Sequence, residues 1–202
     1  MRRGEQARGD ILDAAEQMIA ERGVQVPLRD IALAAGQRNN SAVNYHFRNR
    51  QDLIDAVVLR RLEPMERERG LMLAALGESA DLDALLRVMV LPFTTVPSRY
   101  YARFLQAAAL HLRADIDAAQ GSVWRHVLTE LARAIPTGDT AARRRRMNAV
   151  ATTMFALLAD LERATHDTTL ATGGPEEVIA MLAAMLTAPV PALLAVSAGQ
   201  RK

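Results

Sequence analysis

Pro27-Leu28-Arg29-Asp30-Ile31-Ala32-Leu33-Ala34-Ala35-Gly36, then Gln37-Arg38, then Asn39-Asn40-Ser41-Ala42-Val43-Asn44-Tyr45-His46-Phe47 is two short helical patterns separated by a turn. Leu28, Ile31, Ala32 and Ala35 share one face of the first pattern. Pro27 suits the first turn, where its missing N–H has no partner to lose. Gly36 stops that helix, and Asn39 can cap the next, Asn40 to Phe47, whose inward residues Val43 and Phe47 stand four apart. Upstream, Ile11, Leu12, Ala15, Met18 and Ile19 keep helical spacing between Gly9 and Arg22, with Asp10 placed to cap the start and Gly23 to end the helix. Downstream, Asn49 and Asp52 stand in capping-box positions, and Leu53, Ile54, Val57 and Val58 continue the inward stripe. Two short helices joined by a glycine-containing turn and packed on a third form a helix-turn-helix.

With Val43 and Phe47 inward, Ser41, Asn44, Tyr45 and Arg48 fall on the opposite side. Asn44 can read the edge of adenine bidentately, Ser41 can bond to several base edges, and the Tyr45 hydroxyl can hold a phosphate. Arg22, Arg29, Arg38, Arg48 and Arg50 face one acid in the same stretch, Asp30, and Arg2, Arg3 and Arg8 add positive charge before it. Arg29, Arg38 and Arg50 flank the face and can neutralise phosphates. The chain's single lysine is Lys202, so it is the clustering of arginine, rather than its abundance, that points to nucleic acid. Spacing and charge alone leave a plain solvated helix as the alternative.

The succession Ile11 to Gly23, Leu28-Arg29-Asp30-Ile31-Ala32, Gly36, Val43-Asn44-Tyr45-His46-Phe47 and Arg50-Gln51-Asp52-Leu53 resembles the DNA-binding domain of the TetR family, over about the first quarter of the chain. The resemblance implies that Asn40, Ser41 and Asn44 meet bases. It also implies that Tyr45, His46, Arg50 and Arg29 meet phosphates. Two features depart from the family pattern: Pro27 stands where Ser or Thr is usual, and the turn Gly36-Gln37-Arg38-Asn39 is one residue longer. Arg38, beside that extra residue, is assigned to the interface by its charge.

The rest of the 202 residues reads as helices rich in Ala, Leu, Val and Met, with 4% aromatics and no cysteine. Disulfides, thiolate catalysis and cysteine-ligated metals are thereby excluded. No signal-type or membrane-spanning run is seen, so the chain reads as soluble and cytoplasmic with no membrane partner. The expected helices are Leu82 to Val96, Arg99 to Leu112 capped by Ser98, Ile116 to Ile135, Asp139 to about Ala164, and Pro175 to Pro189; Pro64 is expected to kink or break the fourth helix. The tail Val190 to Lys202 is left unassigned. Met147, Val150, Met154, Leu158 and Leu161 form one stripe, and Val178, Ile179, Leu182 and Leu186 another with Met181 and Ala184 beside it, so these two helices are expected to bury a second face against a twin subunit. Met65, Met89, Phe93, Tyr100, Phe104, Trp124 and Phe155 are expected to line a pocket for a small-molecule effector, with His111, Arg99 and Arg103 as weaker polar candidates. The run Arg143 to Arg146 is read as a solvated or acid-paired face. No HExxH, phosphate loop or nucleophile elbow occurs, so no cofactor, metal or enzymatic activity is expected.

The expectation is therefore an all-α chain: a helix-turn-helix DNA-binding domain over residues 1–58 and a helical ligand-binding and dimerisation domain over 59–202. It would bind a palindromic operator as a homodimer and act as a ligand-released repressor. Three rivals stay open: a DNA-binder without a ligand, a helical enzyme, and an interaction module indifferent to DNA sequence.

Overall fold

The structure is a computed structural model that describes residues 2–38, 41–77, 80–112, 122–165 and 173–189. The expected Asn39 cap, Asn40, the start of the helix at Ile116 and the tail beyond Pro189 lie outside the described residues. Nine α-helices follow one another there, with no strand among them: α1 (Arg2–Arg22), α2 (Leu28–Ala34), α3 (Ser41–His46), α4 (Arg50–Leu76), α5 (Leu82–Thr94), α6 (Tyr101–Ala108), α7 (Ser122–Ala134), α8 (Thr140–Ala164) and α9 (Pro175–Thr187). A 3₁₀ turn, Ala109–His111, extends α6. None of the described helices is long and apolar enough to cross a membrane.

Local signals set most of the boundaries. Gly23 and Gly36 adopt φ of 82° and 70°, the left-handed region a β-carbon disfavours. At the end of α2, Gly36 N–H bonds to Leu33 O at 3.0 Å and Gln37 N–H to Ala32 O at 2.9 Å, a Schellman closure. Asp81 and Asp139 accept from Ala84 N–H and Ala141 N–H, each at 2.8 Å, and so cap α5 and α8.

Three expectations are corrected. Helix α1 begins at Arg2 rather than Gly9, and Asp10 sits inside it, accepting from Gln6 Nε2 at 2.8 Å instead of capping. Helix α4 runs unbroken through Pro64. The proline costs one N–H rung, but it lies on the exposed side, while Leu62, Met65, Glu66 and Arg69 around it are buried and hold the helix by packing. Ser98 is likewise no simple cap, since α6 starts three residues later. Its hydroxyl accepts from Tyr100 N–H and donates to Glu16.

The apolar residues form two cores. One gathers Ile11, Leu12, Ala15 and Ile19 of α1, Ile31 and Ala32 of α2, Val43 and Phe47 around α3, and Leu53, Ile54 and Val57 of α4. It is completed from far along the chain by Tyr101, Phe104, Leu105 and Ala108 of α6. The other joins α5, α7, α8 and α9 through Leu85, Met89, Leu131, Met154, Leu158 and Leu182. Helix α4 is common to both: its first half lies in the first core, and Met72, Leu73 and Leu76 pack against the second. The first core therefore does not end near residue 58.

Arg143 to Arg146 divide their work. Arg145 pairs with Asp139 at 3.7 Å, Arg143 donates to Thr137 O at 2.6 Å, and Arg146 donates to Leu186 O at 2.8 Å and to Ala188 O, closing the end of α9. The amides of Ala142 and Ala141 hold the Asp139 carboxyl below its ordinary range, with Arg145 assisting. A depressed folded-state pKa contributes stability above the unfolded value, which is lost as pH falls through the folded value. Asp139→Ala is therefore expected to lower stability at neutral pH, with the deficit vanishing below the carboxylate range. Urea unfolding of both proteins across an acid series checks this; a deficit independent of pH would contradict it.

Candidate nucleic-acid interface

Helix α3 has six residues, too few to be stable alone, so its orientation comes from what it buries. Val43 is 1% exposed and Phe47 3%, both within the first core. On the other side Ser41, Asn44 and Arg48 are exposed, and Tyr45 is 84% exposed. His46 is half-buried. Its ring stands edge-on to Tyr45 at 5.0 Å and lies 6.2 Å from Phe47. Arg29 and Arg38 are both exposed at the flanks.

The entry to α4 fixes the far end of α3. Asn49 Oδ1 accepts from Asp52 N–H at 2.9 Å, and Asp52 Oδ2 reaches past the cap to Arg48 N–H at 3.0 Å and lies 3.7 Å from the Arg48 guanidinium. Arg50 is only partly exposed. Its Nη1 donates to Val24 O and Val26 O, both at 2.6 Å, so it clips the start of α4 to the α1–α2 loop. Any phosphate it meets must be taken by its remaining N–H groups. The clip arises from residues 24 and 26 positions away, which helical spacing does not reveal. Arg8, expected in a basic arm, lies within α1 with its guanidinium 5.2 Å from the Phe47 ring centroid.

Behind this face, Glu16 of α1 is 2% exposed and accepts from Arg60 at 2.9 Å, from Arg61 at 3.1 Å and from Ser98. Asp13 adds a 2.8 Å contact to Arg60. The cluster welds α1 to α4 and to the loop before α6. A buried carboxylate so surrounded is strongly position-dependent, because removing its partners leaves an uncompensated charge.

A cavity of about 350 Å³ lies between α4, α5, α6, α7 and α8. Met65, Met89, Phe93, Trp124 and Phe155 line it, whereas Tyr100 and Phe104 do not. Phe104 is fully buried in the first core, on the face of α6 that packs against α1. Tyr100 stands before that helix, 5.0 Å beneath the Arg103 guanidinium. Tyr101 takes the lining position instead. Arg103 is paired with Glu162 at 3.1 Å, and Glu162 also accepts from Ala102 and Arg103 N–H at the head of α6. His111 gives its carbonyl to Gln51 at 2.8 Å, and neither it nor Arg99 nor Arg103 lines the cavity. The sequence reading missed Arg69, a lining residue with 1% exposure, although Leu62, Met65 and Arg69 share one face at i, i+3 and i+7. An arginine on an inward stripe was the available signal. Among the described residues no group of acids and histidines is placed to hold a metal.

Residues 11–57 match the family described as bacterial regulatory proteins, tetR family. A TetR-family transcription regulator from Marinobacter aquaeolei VT8 superposes with a TM-score of 0.53 at 19% identity, covering 92% of this chain and 98% of its own. The fatty acid degradation regulator FadR from Bacillus halodurans gives 0.50 at 19% identity, covering 90% and 99%. A protein from Rhodococcus sp. assigned to the TetR family gives 0.51 at 19%, covering 89% and 96%. At these identities the likeness is one of fold. No curated protein sequence matches the chain significantly.

Arg50→Met keeps the apolar stem and removes the clip, leaving two carbonyls short of a donor. It is expected to cost about 1–3 kcal/mol in urea unfolding without DNA. An unchanged midpoint would mean that Arg50 serves only an external partner.

Proposed function

We propose that the chain is a non-enzymatic transcriptional regulator, working in the cytoplasm as a homodimer on a palindromic operator, a reading supported by the match of residues 11–57 to the bacterial regulatory proteins of the tetR family. The observation that carries the reading is the exposed side of α3, polar and aromatic, on a helix pinned from behind by Val43 and Phe47. Ser41 and Asn44, with Asn40 beside them in sequence, read base edges. Tyr45, His46, Arg29 and Arg38 hold phosphates, and Arg50 sets the angle of α4 while offering its free N–H groups to the backbone. Each subunit presents one α3 to a half-site, the two lying in successive major grooves.

Dimerisation is assigned to α8 and α9. Their inner stripes are spent within the chain, with Val150, Met154 and Leu158 packed against Val178, Ile179 and Leu182 in one core. The outer side of α9 still carries Ala180, Met181 and Ala184, all exposed, a small-residue surface on which a twin helix can lie closely.

The cavity is the effector site, and occupation releases the operator. Helix α4 lines the cavity with Met65 and Arg69 and begins at the Asn49 cap beside α3. A ligand that prefers one tilt of α4 biases the separation of the two recognition helices. Coupling of about 1–3 kcal/mol loosens DNA roughly 5- to 150-fold. Repression by occlusion of the promoter is the simplest consequence.

The test is selection of bound sequences from random DNA by the purified full chain, which returns the operator and its half-site spacing together. On that operator Asn44→Ala is expected to lose about 1–3 kcal/mol of specific binding. Arg38→Ala should weaken all sequences alike and reduce the salt slope by about one. No enriched sequence, or equal losses on operator and random DNA for both variants, would overturn the assignment.

A further inference from the structure

The cavity walls are mostly Met, Leu, Val and aromatic side chains, with Asn148 the one uncharged amide among them, and one wall carries Arg69 with 1% exposure. Its guanidinium lies between two rings, with its central carbon 4.7 Å from the Trp124 centroid and 5.1 Å from that of Phe93. Glu66, one turn back, accepts only from Nη1, at 3.1 Å. The neighbouring edge, Nε with Nη2, is the side-on fork that suits a planar anion. On that edge Nε is buried without an acceptor, and Nη2 meets only the Met65 sulfur, at 4.0 Å.

Glu66 does not fully answer the charge. Its second oxygen is committed to α7, accepting from Val123 N–H at 3.0 Å and Trp124 N–H at 3.2 Å, where the unpaired amides of a helix start carry partial positive charge. The carboxylate is thus shared between a guanidinium and a helix end. Burial lowers the Arg69 pKa by more than Glu66 raises it. A guanidinium with a free fork, held by rings in an apolar chamber, is costly unless something else supplies the missing acceptor.

We infer that the cavity binds an apolar molecule ending in a carboxylate, whose oxygens dock on the Nε–Nη2 edge of Arg69 while its hydrocarbon part lies among Met89, Met154 and Phe155. The inference rests on the reading of this cavity as the effector site and supplies the ligand class. At the roughly 30 Å³ a water occupies in the liquid, 350 Å³ is room for on the order of ten non-hydrogen atoms. Phenylbutyrate and decanoate are of that size. A purely cationic ligand meets Arg69 as a like charge, and a neutral one leaves the fork half satisfied. Because Glu66 contacts both Arg69 and the head of α7, docking at Arg69 redistributes the bonds of a carboxylate that joins α4 to α7.

The experiment is calorimetric titration of the full chain with phenylbutyrate, phenylbutanamide and phenylbutylamine, repeated with decanoate and its amide. Each acid is expected to bind at least about tenfold tighter than its amide, with no binding of the amine. Arg69→Met should erase the acid's advantage while the amide still binds. Should that variant fail to fold, Met154→Trp, which fills the chamber and leaves Arg69 in place, is expected to abolish binding of the acid. Acid and amide binding equally, the amine binding best, or no acid binding at all would each overturn the inference. Adding the acid to the DNA complex separates the two claims. Tight binding without release of DNA sustains this inference and refutes the release mechanism, whereas release with no preference for the acid does the reverse.

Discussion

The structure depends on α6 being built into the core beneath α3. Phe104 is fully buried, and with Tyr101, Leu105 and Ala108 it closes a core whose other members come from residues 11–65. Seven residues of α2 and six of α3 cannot hold their own shape, so their orientation is inherited from α1 and α4, and α1 lies along α6. Close packing transmits displacement instead of absorbing it. A shift of α6 or of the middle of α4 is therefore felt at Val43 and Phe47.

The buried charges follow the same plan. Glu16, Glu66 and Arg69 are the charged side chains buried among the described residues, and both carboxylates join separate elements. Glu16 ties α1 to Arg60 and Arg61 of α4 and to Ser98 before α6. Glu66 ties Arg69 of α4 to the first amides of α7. A pair of this kind adds little net stability but penalises any arrangement that separates its members, which favours a few discrete packings over a continuum. Both joints include α4, the helix that has one end at the interface and its middle at the cavity.

The helix-turn-helix was legible because its signals are local. The Val43–Phe47 spacing, the Gly23 and Gly36 stops and the Asn49 cap each act within five residues and are found as expected, while the Asp52 carboxylate takes Arg48 N–H in place of the Asn49 N–H of a capping box. What the sequence concealed depended on distant partners. Helix α1 gains two turns with few apolar residues, and α4 survives Pro64 because Met65 and Arg69 are buried beside it. Residue type alone points Phe104 and Tyr100 to the cavity, but type does not say which of two cores a helix face meets: Phe104 lies in the core with α1, and Tyr101 lines the cavity. Arg69 was overlooked because an arginine is usually solvent-facing, and its burial rests on Trp124 and Phe93, more than twenty residues away.

The most direct measurement of the shared core is native-state hydrogen exchange on the full chain with Phe104→Ala. The substitution opens a void far in sequence from α3. If α6 completes the core under α3, amides from Val43 to Phe47 and along α1 exchange faster than in the parent protein, while those of α9 change least. Faster exchange confined to α5 through α9, with α3 unaltered, would contradict the account.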